Sequence, residues 1–240
     1  MASCELTHLA RVPIDVARAR SQHAAYVRAL EELGCRIVDV DPAPDLPDSV
    51  FIEDTALVLD EIAVVTRPGA PSRRPESEGV GRALARYRTI ARIEAPGTVD
   101  GGDILRVGRT IFVGRSSRTN DDGFRQLTAI AARHGYDVRG IDVSGCLHLK
   151  SAATAIGDAL LVANRSWIPE GAFAPFDIVD VDPSEPSAAN VVRVGSRLLA
   201  AAAFPRTRDR LERRGLQVRT VDMSEFAKAE GAVTCCSVIF

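Results

Sequence analysis

Four places in the 240-residue chain hold side chains suited to proton transfer or nucleophilic attack. Cys235 and Cys236 stand side by side near the end, His148 lies in Gly145-Cys-Leu-His-Leu-Lys150, Asp100 opens the acidic turn Asp100-Gly-Gly-Asp103, and Asp48, Glu53 and Asp54 fall within seven positions. A cysteine becomes a nucleophile at neutral pH when a nearby cation favours its thiolate, a histidine shuttles protons, and a carboxylate orients and charges the imidazole. Cys235, His148 and Asp100 are therefore the candidate catalytic set. Three carboxylates as close as Asp48, Glu53 and Asp54 repel one another unless water or a cation relieves them. Val50, Phe51 and Ile52, embedded among them, argue for a packed loop rather than a solvated one, and a cationic substrate group is one solution to the repulsion. Arg73 and Arg118 each follow the second strand of a hairpin and suit a carboxylate through paired hydrogen bonds. Each residue alone also has a structural explanation: a core cysteine, a solvated acidic loop, a solubilising arginine.

Their common placement carries more weight. Asp15 is the expected N-cap of a helix in which Val16, Ala19, Tyr26, Ala29, Leu30 and Leu33 recur at helical spacing up to Gly34, and a strand follows over 36–40. After the Pro- and Asp-rich connector 41–48, a hairpin, helix and strand plan repeats. The spacing predicts hairpins over 55–59 with 62–66, 104–107 with 110–113, 153–156 with 159–163, and 190–194 with 197–201. Helices are expected over 76–87, 121–134 and 206–214, with closing strands over 90–93, 136–143, 177–181 and 216–221, and a last strand over 234–239. Hairpin starts at Thr55, Ile104, Ala153 and Asn190 and the strand start at Thr234 recur every 37 to 49 residues, as in repeat architectures. A closed ring in which both termini complete one blade leaves no amphipathic face without a neighbour. An open α/β sheet with irregular insertions is the alternative. The flanks of the hairpin starts hold Glu53-Asp54, Asp100 to Asp103, His148 to Lys150, Asn190 and Cys235-Cys236, so a ring would gather them.

Composition narrows the classes. With 30 Lys plus Arg against 32 Asp plus Glu and no basic run, the chain is not built to bind nucleic acid. No signal-peptide pattern opens it and no apolar run approaches a membrane span, so a soluble, cytoplasmic protein without membrane association is expected. The five Cys lack a C-x-x-C pair, which argues against structural zinc and for reduced thiols.

Acids for one end of a ligand, arginines for the other and Cys–His chemistry between describe a site for an amino acid with a guanidinium side chain. The segments Leu46-Pro-Asp-Ser-Val-Phe-Ile-Glu-Asp54, Thr66-Arg-Pro-Gly-Ala-Pro-Ser-Arg-Arg74, Gly97-Thr-Val-Asp-Gly-Gly-Asp103, Ser117-Arg-Thr-Asn120, Leu147-His-Leu-Lys150, Met223-Ser-Glu-Phe226 and Thr234-Cys-Cys-Ser237 closely resemble the dimethylarginine dimethylaminohydrolase family, in the family's order and over nearly the whole chain. The resemblance implies the pentein fold, a five-bladed α/β propeller of ββαβ units spanning 1–240 as a single catalytic domain. It also implies hydrolysis of Nω-methylated arginines to citrulline and a methylamine, with no metal or organic cofactor. By matching positions, Cys235 is the nucleophile, His148 the general acid and base, and Asp100, where some relatives carry Glu, the group that holds the imidazole. Asp48, Glu53 and Asp54 match positions around the guanidinium, and Arg73 and Arg118 those gripping the α-carboxylate. The carbonyl of Ala229 matches the acceptor for the α-ammonium, and Leu9 resembles the lid residue. The expected partner is the small-molecule substrate, with a homodimer left open. The competing readings are an arginine deiminase or amidinotransferase using the same Cys–His pair, and a non-catalytic amino-acid-binding propeller.

Overall fold

The structure, a computed structural model, describes residue 1 and residues 3–240. Four three-stranded sheets follow one plan. In the first, β1 (Ala56–Val58) pairs antiparallel with β2 (Ile62–Val65), and β3 (Thr89–Arg92) returns parallel to β2. The second holds β4 (Ile104–Val107), β5 (Thr110–Arg115) and β6 (Asp137–Asp142); the third β7 (Ala153–Ala155), β8 (Leu160–Ala163) and β9 (Asp177–Asp180); the fourth β10 (Val191–Val194), β11 (Arg197–Ala201) and β12 (Gln217–Val221). Parallel return needs a crossover. Helices α2 (Glu76–Leu84), α3 (Asp121–Ala132) and α5 (Pro205–Arg213) supply it in three sheets, and an irregular stretch does so between β8 and β9. Of two further short helices, α4 (Leu149–Ala152) joins the second sheet to the third and α6 (Ser224–Ala227) follows the fourth. The central strands β2, β5, β8 and β11 are mainly buried and the third strands mostly face outward, which is the radial order of propeller blades.

The fifth sector comes from both ends of the chain. Helix α1 (Val16–Glu32) starts where Asp15 accepts the Arg18 amide at 3.0 Å and stops at Gly34. Its Tyr26, Ala29 and Leu30 share one core with Phe226, Val233 and Cys236. Glu225 accepts the Asp15 amide at 2.9 Å, and the Glu225 amide donates to Gln22 at 3.0 Å, so the Met223-Ser-Glu-Phe226 segment fastens α1 to the C-terminus. The strands expected over 36–40 and 234–239 do not form ladders. At the C-terminus a turn intervenes: the Ser237 amide reaches the Thr234 carbonyl, and Asn190 and Glu53 hold Thr234, which bends the chain at Cys235. The architecture is an α/β propeller whose fifth blade is closed by both termini without a sheet of its own. A central channel of about 440 Å³ runs between β1, β4, β7, β10 and residues 237–240. Among the described residues, no helix is long and apolar enough to cross a membrane.

Candidate active site

At one end of the channel the loops that enter the blades converge. Glu53 and Asp54 ride the turn Ile52–Thr55, Asp100 precedes the turn Gly101–Asp103, His148 precedes α4, and Thr234 and Cys235 lie in the bend of the C-terminal segment. The close approach of the first two loops depends on glycine. A Cβ on Gly101 would lie 1.9 Å from the Glu53 carbonyl oxygen, and one on Gly102 would lie 2.6 Å from His148 Nδ1 and 2.8 Å from Asp54 Oδ1. Gly102→Ala should therefore push the imidazole aside and lower kcat by about 10²-fold, the usual cost of a misplacement near 1 Å. Steady-state kinetics beside an unchanged circular dichroism spectrum would check it; full activity would show that His148 can move freely.

His148 Nε2 lies 3.0 Å from Asp100 Oδ2, and Asp100 Oδ1 accepts the Gly69 amide at 2.8 Å. Asp54 accepts the Gly102 amide at 2.9 Å and pairs with Arg73 at 2.6 Å. Burial works against the charged imidazole, but the Asp54 charge, the Asp100 bond and the Asp103 charge outweigh it and raise His148 to about 9. Asp54 is drawn down to about 2: burial opposes this, and the charges of His148 and Arg73 prevail. Burial, with the negative charges of Glu53 and Asp54, pushes the Cys235 thiol up to about 12. The Ala232 amide, 3.4 Å from Sγ, is too weak a donor to reverse it. These shifts favour an imidazolium at His148 and a neutral thiol at Cys235, both under the field of Asp54. Fully buried Asp103, raised to about 6 by burial, accepts from Ser116 Oγ at 2.5 Å, Thr119 Oγ1 at 2.7 Å and the Leu149 amide at 3.1 Å. It ties the Arg118 loop to the residue after His148. Asp54, Asp100 and His148 bring one ligand atom each within 4.8 Å of one another. A metal ion there would have to displace the proton that His148 shares with Asp100.

The remaining residues singled out by sequence divide into two groups. Glu53, besides facing Cys235, is held by Lys150 at 2.6 Å and Thr234 Oγ1 at 2.6 Å, a link that closes the channel beneath the site. Arg118 sits against the candidate catalytic Asp100, its Nη1 3.8 Å away and its Nη2 donating to Thr7 Oγ1 at 2.8 Å. Ala229 is buried, and Leu9 is exposed on the N-terminal loop, whose amides meet the residue after Ala229. Asp48 is buried beneath that loop and accepts the Glu5 amide at 3.0 Å. Arg73 is pinned by Asp54, by Glu76 at 2.9 Å and by the Phe51 carbonyl at 3.1 Å, so its fork faces inward acids. Sequence reasoning assigned no role to Thr7, Glu76, Lys150, Thr234 or Glu230. Only Lys150 and Thr234 carried a signal, each being within two residues of a catalytic candidate.

No family model matches the chain. A dimethylarginine dimethylaminohydrolase of Streptomyces coelicolor is 44% identical over 234 residues, covering 97% of this chain and 90% of its own length. The chain belongs to the dimethylarginine dimethylaminohydrolase family. The Pseudomonas aeruginosa member is 40% identical over 228 residues, 94% of this chain and 90% of that one. The structure of its cysteine-to-serine variant with citrulline superposes with a TM-score of 0.91 at 38% identity, covering 96% and 91% of the two chains. That Pseudomonas aeruginosa structure therefore shares the fold observed here over nearly the whole chain.

Proposed function

We propose that the protein is a dimethylargininase, hydrolysing asymmetric dimethylarginine and monomethylarginine to citrulline plus dimethylamine or methylamine, with residues 1–240 acting as one catalytic unit. The observation that carries the reading is His148 Nε2 held 3.0 Å from Asp100 Oδ2 beside the buried Asp54, whose charge bears on both His148 and the Cys235 thiol. A guanidinium is a poor electrophile because its charge is delocalised. Asp54, with Asp48 and Glu53 behind it, orients that plane toward the sulfur. The arriving cation offsets the acids that hold the thiol neutral, so substrate binding itself promotes loss of the Cys235 proton to solvent. Sulfur attacks the guanidinium carbon to give a tetrahedral intermediate, and the His148 imidazolium protonates the departing amine. A covalent S-alkylthiouronium remains. Water activated by the now neutral imidazole adds to it, and citrulline leaves with the thiol restored.

Arg118 grips the α-carboxylate in this reading, and the Ala229 carbonyl accepts the α-ammonium. Arg73 acts from its anchored position, fixing Asp54 and lending positive charge to the carboxylate end, while Leu9 covers the ligand. Arg118→Ala should raise KM by about 10²-fold with a smaller fall in kcat, since a carboxylate contact is made in ground and transition state alike. An unchanged KM would remove Arg118 from that role. Colorimetric citrulline formation from asymmetric dimethylarginine, with none from arginine, tests the reading as a whole. Arginine turnover would favour the deiminase reading instead. A cytoplasmic setting fits five free thiols.

A further inference from the structure

Glu230 is the residue after Ala229 and, among the described residues, the one non-glycine with positive φ, at 58°. Left-handed backbone is costly for a glutamate and persists where surrounding contacts enforce it. Here they do. One oxygen of its carboxylate accepts the His8 amide at 2.5 Å and the Leu9 amide at 2.7 Å, and the other accepts the Thr7 amide at 2.8 Å. Three consecutive amides converging on one carboxylate form an anion cradle. The same segment touches the catalytic set: Thr7 Oγ1 accepts from Arg118, which lies 3.8 Å from Asp100. Glu230 thereby joins the N-terminal loop to the strand of chain that carries Ala229.

We infer that Glu230 is a positioning residue that clasps the N-terminal loop over the substrate, using its carboxylate to bind the amides of Thr7, His8 and Leu9. This deepens the dimethylargininase reading and rests on it. The clasp holds Leu9 at the mouth of the site and sets Thr7 against Arg118, so the ligand's amino-acid end is enclosed by a loop whose closure depends on one charge. The left-handed turn at Glu230 aims the carboxylate at the loop while Ala229 keeps its place.

Two variants separate the charge from the turn. Glu230→Gly relieves the backbone and removes the carboxylate; Glu230→Gln keeps the side-chain length and removes only the charge. Hydrogen exchange at the Thr7, His8 and Leu9 amides should quicken at least about tenfold in both, without any substrate present. KM for asymmetric dimethylarginine should rise about tenfold while kcat falls less than about threefold. Unchanged exchange in Glu230→Gly would overturn the clasp, and faster exchange with unchanged KM would show that the loop does not enclose the ligand. Absence of citrulline formation by the unsubstituted protein would instead count against the dimethylargininase reading, leaving the exchange result to judge the clasp.

Discussion

Replacing Cys235 with serine is expected to lower the rate of citrulline formation by at least about 10³-fold, the scale on which loss of a covalent nucleophile acts. Cys236→Ser should retain most activity. The two thiols are neighbours in sequence, and burial holds the proton on both, but the charge of Asp54 bears on Cys235. Cys236 is buried in the core shared by α1 and the C-terminal segment, its Sγ 3.9 Å from the Ala232 carbonyl, and burial holds its proton on more strongly than the field of any site group. Cys235 faces the charges of Glu53 and Asp54, the groups whose effect an incoming guanidinium cancels. A serine hydroxyl in the same place has no accessible anion, because the cation lowers a thiol far enough to matter and an alcohol not nearly so far. Intact-protein mass spectrometry after acid quenching should find the S-alkylthiouronium adduct in the unsubstituted protein and in Cys236→Ser, and none in Cys235→Ser. A dead Cys236 variant beside an active Cys235 variant would reverse the assignment.

Much of this was legible in the residues because repetition leaves a double signature. The hairpin starts mark blade boundaries, and in a ring the flanks of those boundaries must meet, so Asp100, His148 and Cys235 could be grouped without a contact being known. Within the fifth blade, the strand expected over 234–239 fails for a local reason. Residues 234–239 have the composition of a strand, yet Thr234 is claimed by Asn190 and Glu53, and the turn that results presents Cys235 to the site. Propensity yields there to side-chain hydrogen bonds spanning 44 and 181 residues. The partners of Arg73 were not legible either: it pairs with Asp54 and with Glu76 one helical turn on, whose own carboxyl is raised to about 7 by burial. Glu230 gave no sign at all, since neither a positive φ nor a cradle of amides is written in residue types.

His148→Gly should likewise cut turnover by at least about 10³-fold, and the pH dependence identifies the reason. On the proposed mechanism the productive form of the free protein pairs a Cys235 thiolate with a His148 imidazolium, whereas the abundant form below pH 9 carries both protons. The productive fraction therefore rises tenfold per pH unit through neutrality. Above about 9 the abundant form has itself lost the imidazole proton, the ratio stops changing, and kcat/KM levels off until the thiol, near 12, also ionises. Without the imidazole the break near 9 has no source, so the variant's residual kcat/KM should keep climbing through that range. A profile for the unsubstituted protein that levels off near pH 6.5 would mean that Asp54, Asp100 and Asp103 do not hold the proton as their placement requires. An S-alkyl isothiourea analogue separates the two duties of His148. Its thiolate leaves without a proton, so His148→Gly should still form the Cys235 adduct, but with no base to activate water the adduct should persist.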